Sequence, residues 1–314
     1  MPTRTGRKGS FRYVDARGLE IRDPETIERF ERLAIPPAWK DVWIASRPSA
    51  KLQATGYDRA RRKQYLYHAN FRAAQERAKY EKLIRFAEEL PKLREALADH
   101  LDHDELDRER VSAMAVRLIN LGWFRAGSDR HTERSGTYGI TTLRKRHVSV
   151  RGRRIRLEFL GKGRAQIKTT LVDDDLAAAL RELLGFPGYR VFRYVNGGGL
   201  CNLTNRVLNE YVKEHLGDEF TAKDFRTWGG TLLAAIDFAQ REPDGKGTVT
   251  AVMRRVSAQL GNTPAVCRAS YVAPAVVDQY LEGRTIADFP PRESVLEPEE
   301  ESLLALLRFA SNFE

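Results

Sequence analysis

The sequence predicts an α+β protein, with a small N-terminal domain containing a β-sheet and a larger, mainly α-helical domain that carries a three-stranded antiparallel sheet. Three observations predict it. Before residue 70, short strand-like runs alternate with Gly, Pro and Asp turns. Beyond it, apolar residues recur at three- and four-residue intervals, as helices require. Between 147 and 171 the pattern returns to strict alternation. The change of character at 70–78 gives domains of 1–75 and 76–314, and 42% hydrophobic residues support a core.

The elements follow in order. Runs at 11–14 and 19–21 flank an Asp-Ala-Arg-Gly turn and read as a hairpin. Asp23-Pro24 supplies a cap and a first-turn proline for a helix to residue 33, which Pro36-Pro37 ends. Strands are expected at 42–46, 51–55 and 63–68, the last two joined through Gly56-Tyr57-Asp58. Helices are expected at 71–89, 92–101 and 105–120, then strands at 147–150, 154–160 and 164–171. In the second of these, Ile155, Leu157 and Phe159 share one face, with Arg154, Arg156 and Glu158 on the other. Helices complete the chain at 174–184, 205–216, 223–240 (capped by Thr221), 248–260, 274–281 and 299–309, with a short one opened by Thr263-Pro264.

Lys and Arg number 53 against 43 Asp and Glu, a net charge of +10. Residues 144–168 hold ten Lys/Arg against one acid, Glu158, and 51–79 hold eight against Asp58 and Glu76, while acids gather at 173–175 and 297–301. Two separated basic stretches suggest a surface that faces a polyanion. Cys201 and Cys267 make neither a disulfide framework nor a zinc pattern, and read as reduced, buried thiols. The N-terminus lacks an apolar run behind its basic residues, and no apolar stretch approaches bilayer length, so a soluble intracellular protein is expected.

Five residues carry the candidate chemistry. They are Arg125 in LGWFRAGSDRH (121–131), Lys162 in FLGKGRAQIK (159–168), Arg226 in KDFRTWGG (223–230), and Asn262 and Tyr271 in LGNTPAVCRASY (260–271). Two guanidiniums, an amine, an amide and a phenol are what a protein needs to attack a phosphodiester without metal. A phenol with an ordinary pKa of about 10 is only roughly 0.1% ionised at neutral pH, so it needs positive charge, a base, or both. Arg226 lies one turn into a predicted helix, where amides already favour an anion. Gly229-Gly230 follow it at roughly 1 kcal/mol each against alanine, which close backbone approach would offset. Lys162, on a Gly-Lys-Gly hairpin tip, can swing inward and protonate a leaving oxygen if positive neighbours lower its pKa. Trp123-Phe124 can hold Arg125 rigid. Asn262 can donate to a phosphate oxygen or simply end a helix. Taken singly, each has a plain structural alternative: a core tyrosine, a solvated arginine, a solubilising lysine.

The strand at 63–68 places Lys63, Tyr65 and Tyr67 on one face, and Gln64 can read adenine edges. It is either a β-ribbon DNA reader or an exposed sheet face without a partner.

Taken in order, GYDRARRKQYLYH (56–68), TYGITTLRKRHV (137–148), FLGKG (159–163), KDFRTWG (223–229) and LGNTPAVCRASY resemble the small type IB DNA topoisomerases of bacteria and poxviruses, over nearly the whole chain. The resemblance implies that Tyr271 attacks a phosphodiester to give a 3′-phosphotyrosyl intermediate. Arg125 and Arg226 would clamp the non-bridging oxygens, and Lys162 would protonate the leaving 5′ oxygen. Asn262 stands where many members have a histidine, so it can donate a hydrogen bond but cannot titrate. Lys223 would be a secondary phosphate-side cation. With Lys63, Gln64, Tyr65, Tyr67, Arg144, Lys145 and Arg146 it completes the expected DNA-contacting set.

The resemblance further implies relaxation of both supercoil signs without ATP or metal, by a monomer on double-stranded DNA. No membrane or obligate protein partner is expected, and the location would be cytoplasmic and nucleoid-associated. Relatives often carry His where this chain has Ala273. The rival reading is a tyrosine recombinase or integrase, which usually has His at the position of Lys223. A non-catalytic DNA-binding protein is the other.

Overall fold

The computed structural model describes residues 1–7, 9–242, 246–292 and 294–311. It divides into two compact units, Met1–Lys79 and Tyr80–Glu314.

The first unit is a five-stranded antiparallel sheet with one helix. In chain order its elements are β1 (Thr3–Arg7), β2 (Ser10–Val14), α1 (Pro24–Arg32), β3 (Lys40–Ile44), β4 (Leu52–Tyr57) and β5 (Lys63–Tyr67), and the strand order is β2-β1-β3-β4-β5. The hairpin predicted at 11–14 has a different partner. Residues 19–21 contribute only a bridge from Glu20 to Val14, and the full partner of β2 is the polar strand β1. Strand β1 is fixed by Arg4, whose guanidinium donates to the carbonyls of Ile35, Pro36 and Trp39 at 3.0 Å each and lies 4.2 Å from the Phe11 ring centre. Helix α1 begins as expected: Asp23 Oδ2 accepts from Thr26 N at 3.0 Å, and Pro24 opens the first turn. It delivers Phe30 against Tyr13, Val42, Ile44 and Ala54, which form the core of this unit. Strand β5 turns Lys63, Tyr65 and Tyr67 outward, with the two tyrosine rings stacked 6.3 Å apart.

The second unit is mainly helical, and its first helix begins within residues 69–79 of the first unit. Its elements are α2 (Ala69–Leu101), α3 (Arg108–Gly122), α4 (Asp129–Ser135), β6 (Val148–Arg151), β7 (Arg154–Leu160), β8 (Gln166–Val172), α5 (Asp174–Gly185), β9 (Arg193–Asn196), β10 (Gly199–Asn202), α6 (Asn205–Leu216), α7 (Asp224–Ala239), α8 (Lys246–Leu260), α9 (Pro264–Ser270), α10 (Pro274–Leu281) and α11 (Pro298–Ser311). The two helices expected at 71–89 and 92–101 are one. Helix α2 runs through Pro91, with Leu90 and Leu93 fully buried on either side, so packing outweighs the amide hydrogen bond that proline removes. Strands β6-β7-β8 form the antiparallel sheet, and β7 buries Ile155, Leu157 and Phe159 while exposing Arg154, Arg156 and Glu158. Two elements lie beyond the expectation: α4, and the β9–β10 hairpin over Asn196-Gly197-Gly198-Gly199.

The start of α7 also differs. Thr221 does not cap it; instead Asp224 Oδ2 accepts from Thr221 N and Oγ1 at 2.8 and 3.0 Å. Helix α7 lies at the centre of the helical core, with Trp228 1% exposed. The Trp228 indole donates to Glu300 Oε1 at 3.1 Å, and Arg94 holds the same carboxylate bidentately at 2.7 and 2.8 Å. This triad joins α2, α7 and α11.

Burial would raise the Glu300 pKa, but the Arg94 guanidinium and the other donors outweigh it and hold the carboxyl below its ordinary value. Its stabilising contribution is therefore complete above the unfolded carboxyl pKa and is lost as pH falls through the folded one. Replacing Arg94 by Leu leaves a buried, unpaired carboxylate and should cost about 3–5 kcal/mol by urea unfolding at neutral pH, with a smaller difference in acid. A loss no larger than that of an exposed pair, about 0–1 kcal/mol, would show that the triad does not brace the three helices.

Candidate active site

Arg226 is 3% exposed on the first turn of α7. One Nη donates to Trp123 O, and the other to Leu260 O at 2.8 Å. Both acceptors end helices: Trp123 is the left-handed C-cap of α3, and Leu260 is the last residue of α8. Carbonyls there lack intrahelical partners and carry partial negative charge, which suits a guanidinium. Arg125 is held beside it through Nη1 to Gly261 O at 3.3 Å. Burial, then the neighbouring Arg125, push the Arg226 pKa below the usual guanidinium range.

The loop bearing Arg125 is fixed by the segment 138–141. Ile140 N donates to Arg125 O at 3.0 Å, and Thr141 donates to Ala126 O through N and Oγ1 at 2.7 and 3.0 Å. Tyr138 N donates to Leu160 O at 2.7 Å, so the same segment grips the end of β7, where the chain turns into Lys162. A Cβ on Gly139 would lie 2.6 Å from Arg125 O, so only glycine allows the two backbones to meet. Lys162 is exposed on the turn 162–164 and lines one small cleft with Arg125, Arg226, Trp123, Tyr138 and Ile167.

Tyr271 ends α9, and its ring centre lies 4.9 Å from Arg226 Cζ. Burial would raise the phenol's pKa, but Arg226 first, then Arg125 and Lys223, outweigh burial and leave it below its ordinary value. Tyr211 is the contrast: burial, then Glu109 and Glu214, push its phenol up. Asn262 follows Gly261 directly. Both its Oδ1 and Nδ2 are buried without a hydrogen-bond partner among the described residues, as is Arg226 Nε. Buried orphans of this kind point to an absent hydrogen-bonding partner at that place.

The structure thus gathers Arg125, Lys162 and Arg226 around one cleft, with Tyr271 against Arg226 and Asn262 on the adjoining turn. Lys223 is exposed just before α7. Arg144 lies 5.5 and 5.1 Å from the ring centres of Tyr138 and Tyr189, and Arg146 is exposed. The Lys145 ammonium donates to Phe186 O, and the Gln64 amide donates to Asp58 Oδ2 at 3.0 Å, so both are already engaged. Lys63, Tyr65 and Tyr67 belong to the first unit. His147, behind Arg144, is held uncharged: burial, then Arg146 and Arg144, push its pKa down to about 4. Sequence reasoning missed the carbonyls of Trp123, Leu260 and Gly261, which leave no side-chain signal.

The chain matches the catalytic core of eukaryotic DNA topoisomerase I over residues 68–282 and the N-terminal domain of bacterial DNA topoisomerase IB over residues 10–58. It is 30% identical over 290 residues to the DNA topoisomerase 1B of Acanthamoeba polyphaga mimivirus, covering 88% of this chain and 86% of that one. The chain belongs to the type IB DNA topoisomerases. Among solved structures, the XerH site-specific recombinase bound to its difH substrate, a pre-cleavage complex, overlaps 58% of this chain and 48% of its own at 16% identity, with a TM-score of 0.38. That likeness is too slight to bear on function.

Gly229 faces Trp123 so closely that an added Cβ would overlap the indole. Gly229→Ala should cost about 1–3 kcal/mol in urea unfolding through overpacking, and should loosen the Trp123 carbonyl from Arg226. Unchanged stability would show an indole free to move aside. The Tyr271 phenol should titrate below free tyrosine in the difference between wild-type and Tyr271→Phe absorbance titrations; a midpoint at or above about 10 means the guanidiniums do not reach it.

Proposed function

We propose that this topoisomerase relaxes supercoiled double-stranded DNA of either sign, with Tyr271 as the nucleophile. The phenolic oxygen attacks phosphorus, the bond to the 5′ oxygen breaks, and a 3′-phosphotyrosine and a free 5′-hydroxyl strand result. Arg125 and Arg226 bind the non-bridging oxygens, where charge grows in the transition state, and the Asn262 amide donates a further hydrogen bond. Lys162, on its exposed turn, gives the leaving oxygen its proton. The ester formed resembles the ester broken, so resealing runs the same steps backwards, and the chemistry calls for neither ATP nor a metal. Between cleavage and resealing the free strand can rotate.

The observation that carries this reading is the Arg226 guanidinium held against the Tyr271 ring, with Arg125 fixed on Gly261 O and a buried Asn262 amide that lacks a partner. A phosphate supplies what those donors are missing. We assign DNA contacts to Lys63, Tyr65 and Tyr67 on the outer face of β5 and to Arg144, Arg146 and Lys223, acting as a monomer. Gln64 and Lys145 would join them by giving up their present partners. Phosphate contacts of this kind make binding fall steeply with salt.

The test is relaxation of positively and negatively supercoiled plasmid in EDTA without ATP. Wild type should relax both and leave a covalent adduct on denaturation. Tyr271→Phe should bind DNA yet do neither, and Lys162→Ala should cleave roughly 10²–10⁴-fold more slowly. A wild-type protein that binds plasmid but never relaxes it would overturn the reading.

A further inference from the structure

We infer that Thr231 is a positioning residue for the nucleophile, its hydroxyl holding the backbone at Tyr271 and Ala273 so that the phenol stays against Arg226. The inference rests on Tyr271 being the nucleophile.

Thr231 is fully buried on α7, five residues beyond Arg226. Ala273 N donates to its Oγ1 at 3.1 Å, and the same oxygen lies 2.8 Å from Thr227 O and 3.2 Å from Tyr271 O. A hydroxyl has one proton, so it donates to one of these carbonyls at a time while accepting from Ala273 N throughout. The need for such a clamp is local. Tyr271 is the residue that ends α9, and α10 starts three residues later, with Ala273 as its N-cap. Ala273 offers the first turn of α10 no side-chain oxygen, and its own amide is held from outside, by the Thr231 hydroxyl on α7. Gly230 completes the cradle: a Cβ there would lie 2.6 Å from Tyr271 O. The Tyr80 phenol also reaches this link, at 3.5 Å from Val272 O.

One rigid helix therefore sets both partners of the key contact. Its first turn carries Arg226, and its second carries the hydroxyl that fixes where the Tyr271 backbone leaves α9. If the clamp is lost, the phenol keeps its identity and Arg226 keeps its carbonyls, but the distance between them is no longer defined. Misplacing a reacting group by about 1 Å costs on the order of 10²-fold in rate.

The experiment is single-turnover cleavage of a DNA duplex by wild type, Thr231→Val and Thr231→Ser, read as covalent adduct, alongside non-covalent binding and thermal unfolding. Thr231→Val keeps the shape and removes the hydroxyl. It should cleave about 10–100-fold more slowly while binding DNA within about twofold of wild type. Its cleavage should also require higher pH, because a phenol moved off the guanidinium titrates nearer its ordinary value. Thr231→Ser should restore both rate and pH profile. A purely structural role would lower the unfolding temperature and leave the pH profile alone. Should Thr231→Val be unfolded at the assay temperature, Thr231→Cys, of similar size and poor hydrogen-bonding power, takes its place with the same expectation. Wild-type rate and pH profile in the folded hydroxyl-free variant overturn the proposal, as does failure of Thr231→Ser to recover. If wild type itself gives no adduct, the nucleophile assignment fails instead, so the two failures are distinguishable.

Discussion

Two guanidiniums placed side by side repel, and the rest of the second unit is arranged so that they stay together. The attraction that holds them comes from main-chain carbonyls. Arg226 is shared between Trp123 O and Leu260 O, and Arg125 takes Gly261 O. These oxygens are available because they sit where helices stop and no further amide follows. The ends of α3 and α8 thus form a negatively polarised collar, and a side chain from the first turn of α7 threads it. Gly229 lets α7 come near enough for this, and Gly139 lets the Arg125 loop be gripped from behind.

Holding the collar still is the task of the surrounding helices. The Glu300 carboxylate ties α2 and α11 to Trp228, two residues along α7 from Arg226. On the other side, the segment 138–141 links the Arg125 loop to β7 and hence to the Lys162 turn. Lys162 alone is left on a short exposed turn with Gly163 and Arg164 at positive φ. As the proposed proton donor, which must meet a leaving oxygen only once DNA is present, Lys162 is better placed on such a turn than on a packed helix.

Much of the fold was legible because its signals are local. Asp23-Pro24 and Thr263-Pro264 carry a cap and a fixed φ in two adjacent residues, and both helices begin there. The alternation of β7 needs only its own seven residues. The failures share the opposite trait. Strand β1 is polar and contains Gly6 at positive φ, so nothing marks it until Arg4 meets carbonyls more than thirty residues away. Helix α2 continues through Pro91 only because Leu90 and Leu93 are buried by other elements. At 221–224 the residue types were right and the direction of capping was wrong, since Asp and Thr can each play either part. Of the candidate site, Arg125, Lys162, Arg226, Asn262 and Tyr271 were visible through the company each keeps in its sequence motif. The carbonyl collar and Thr231 were not, because main-chain oxygens have no letter and a helical threonine has no distinguishing neighbour.

The orphaned atoms of Asn262 and Arg226 have a consequence for the protein at rest. A buried donor without a partner costs about 1–3 kcal/mol, so a bound group that accepts from Asn262 Nδ2 and Arg226 Nε would remove that cost. A ligand that fills the cleft binds the native state alone, so occupancy adds to folding stability by mass action. A ligand that accepts from those donors would therefore raise the chain's resistance to heat and to proteases in step with its occupancy.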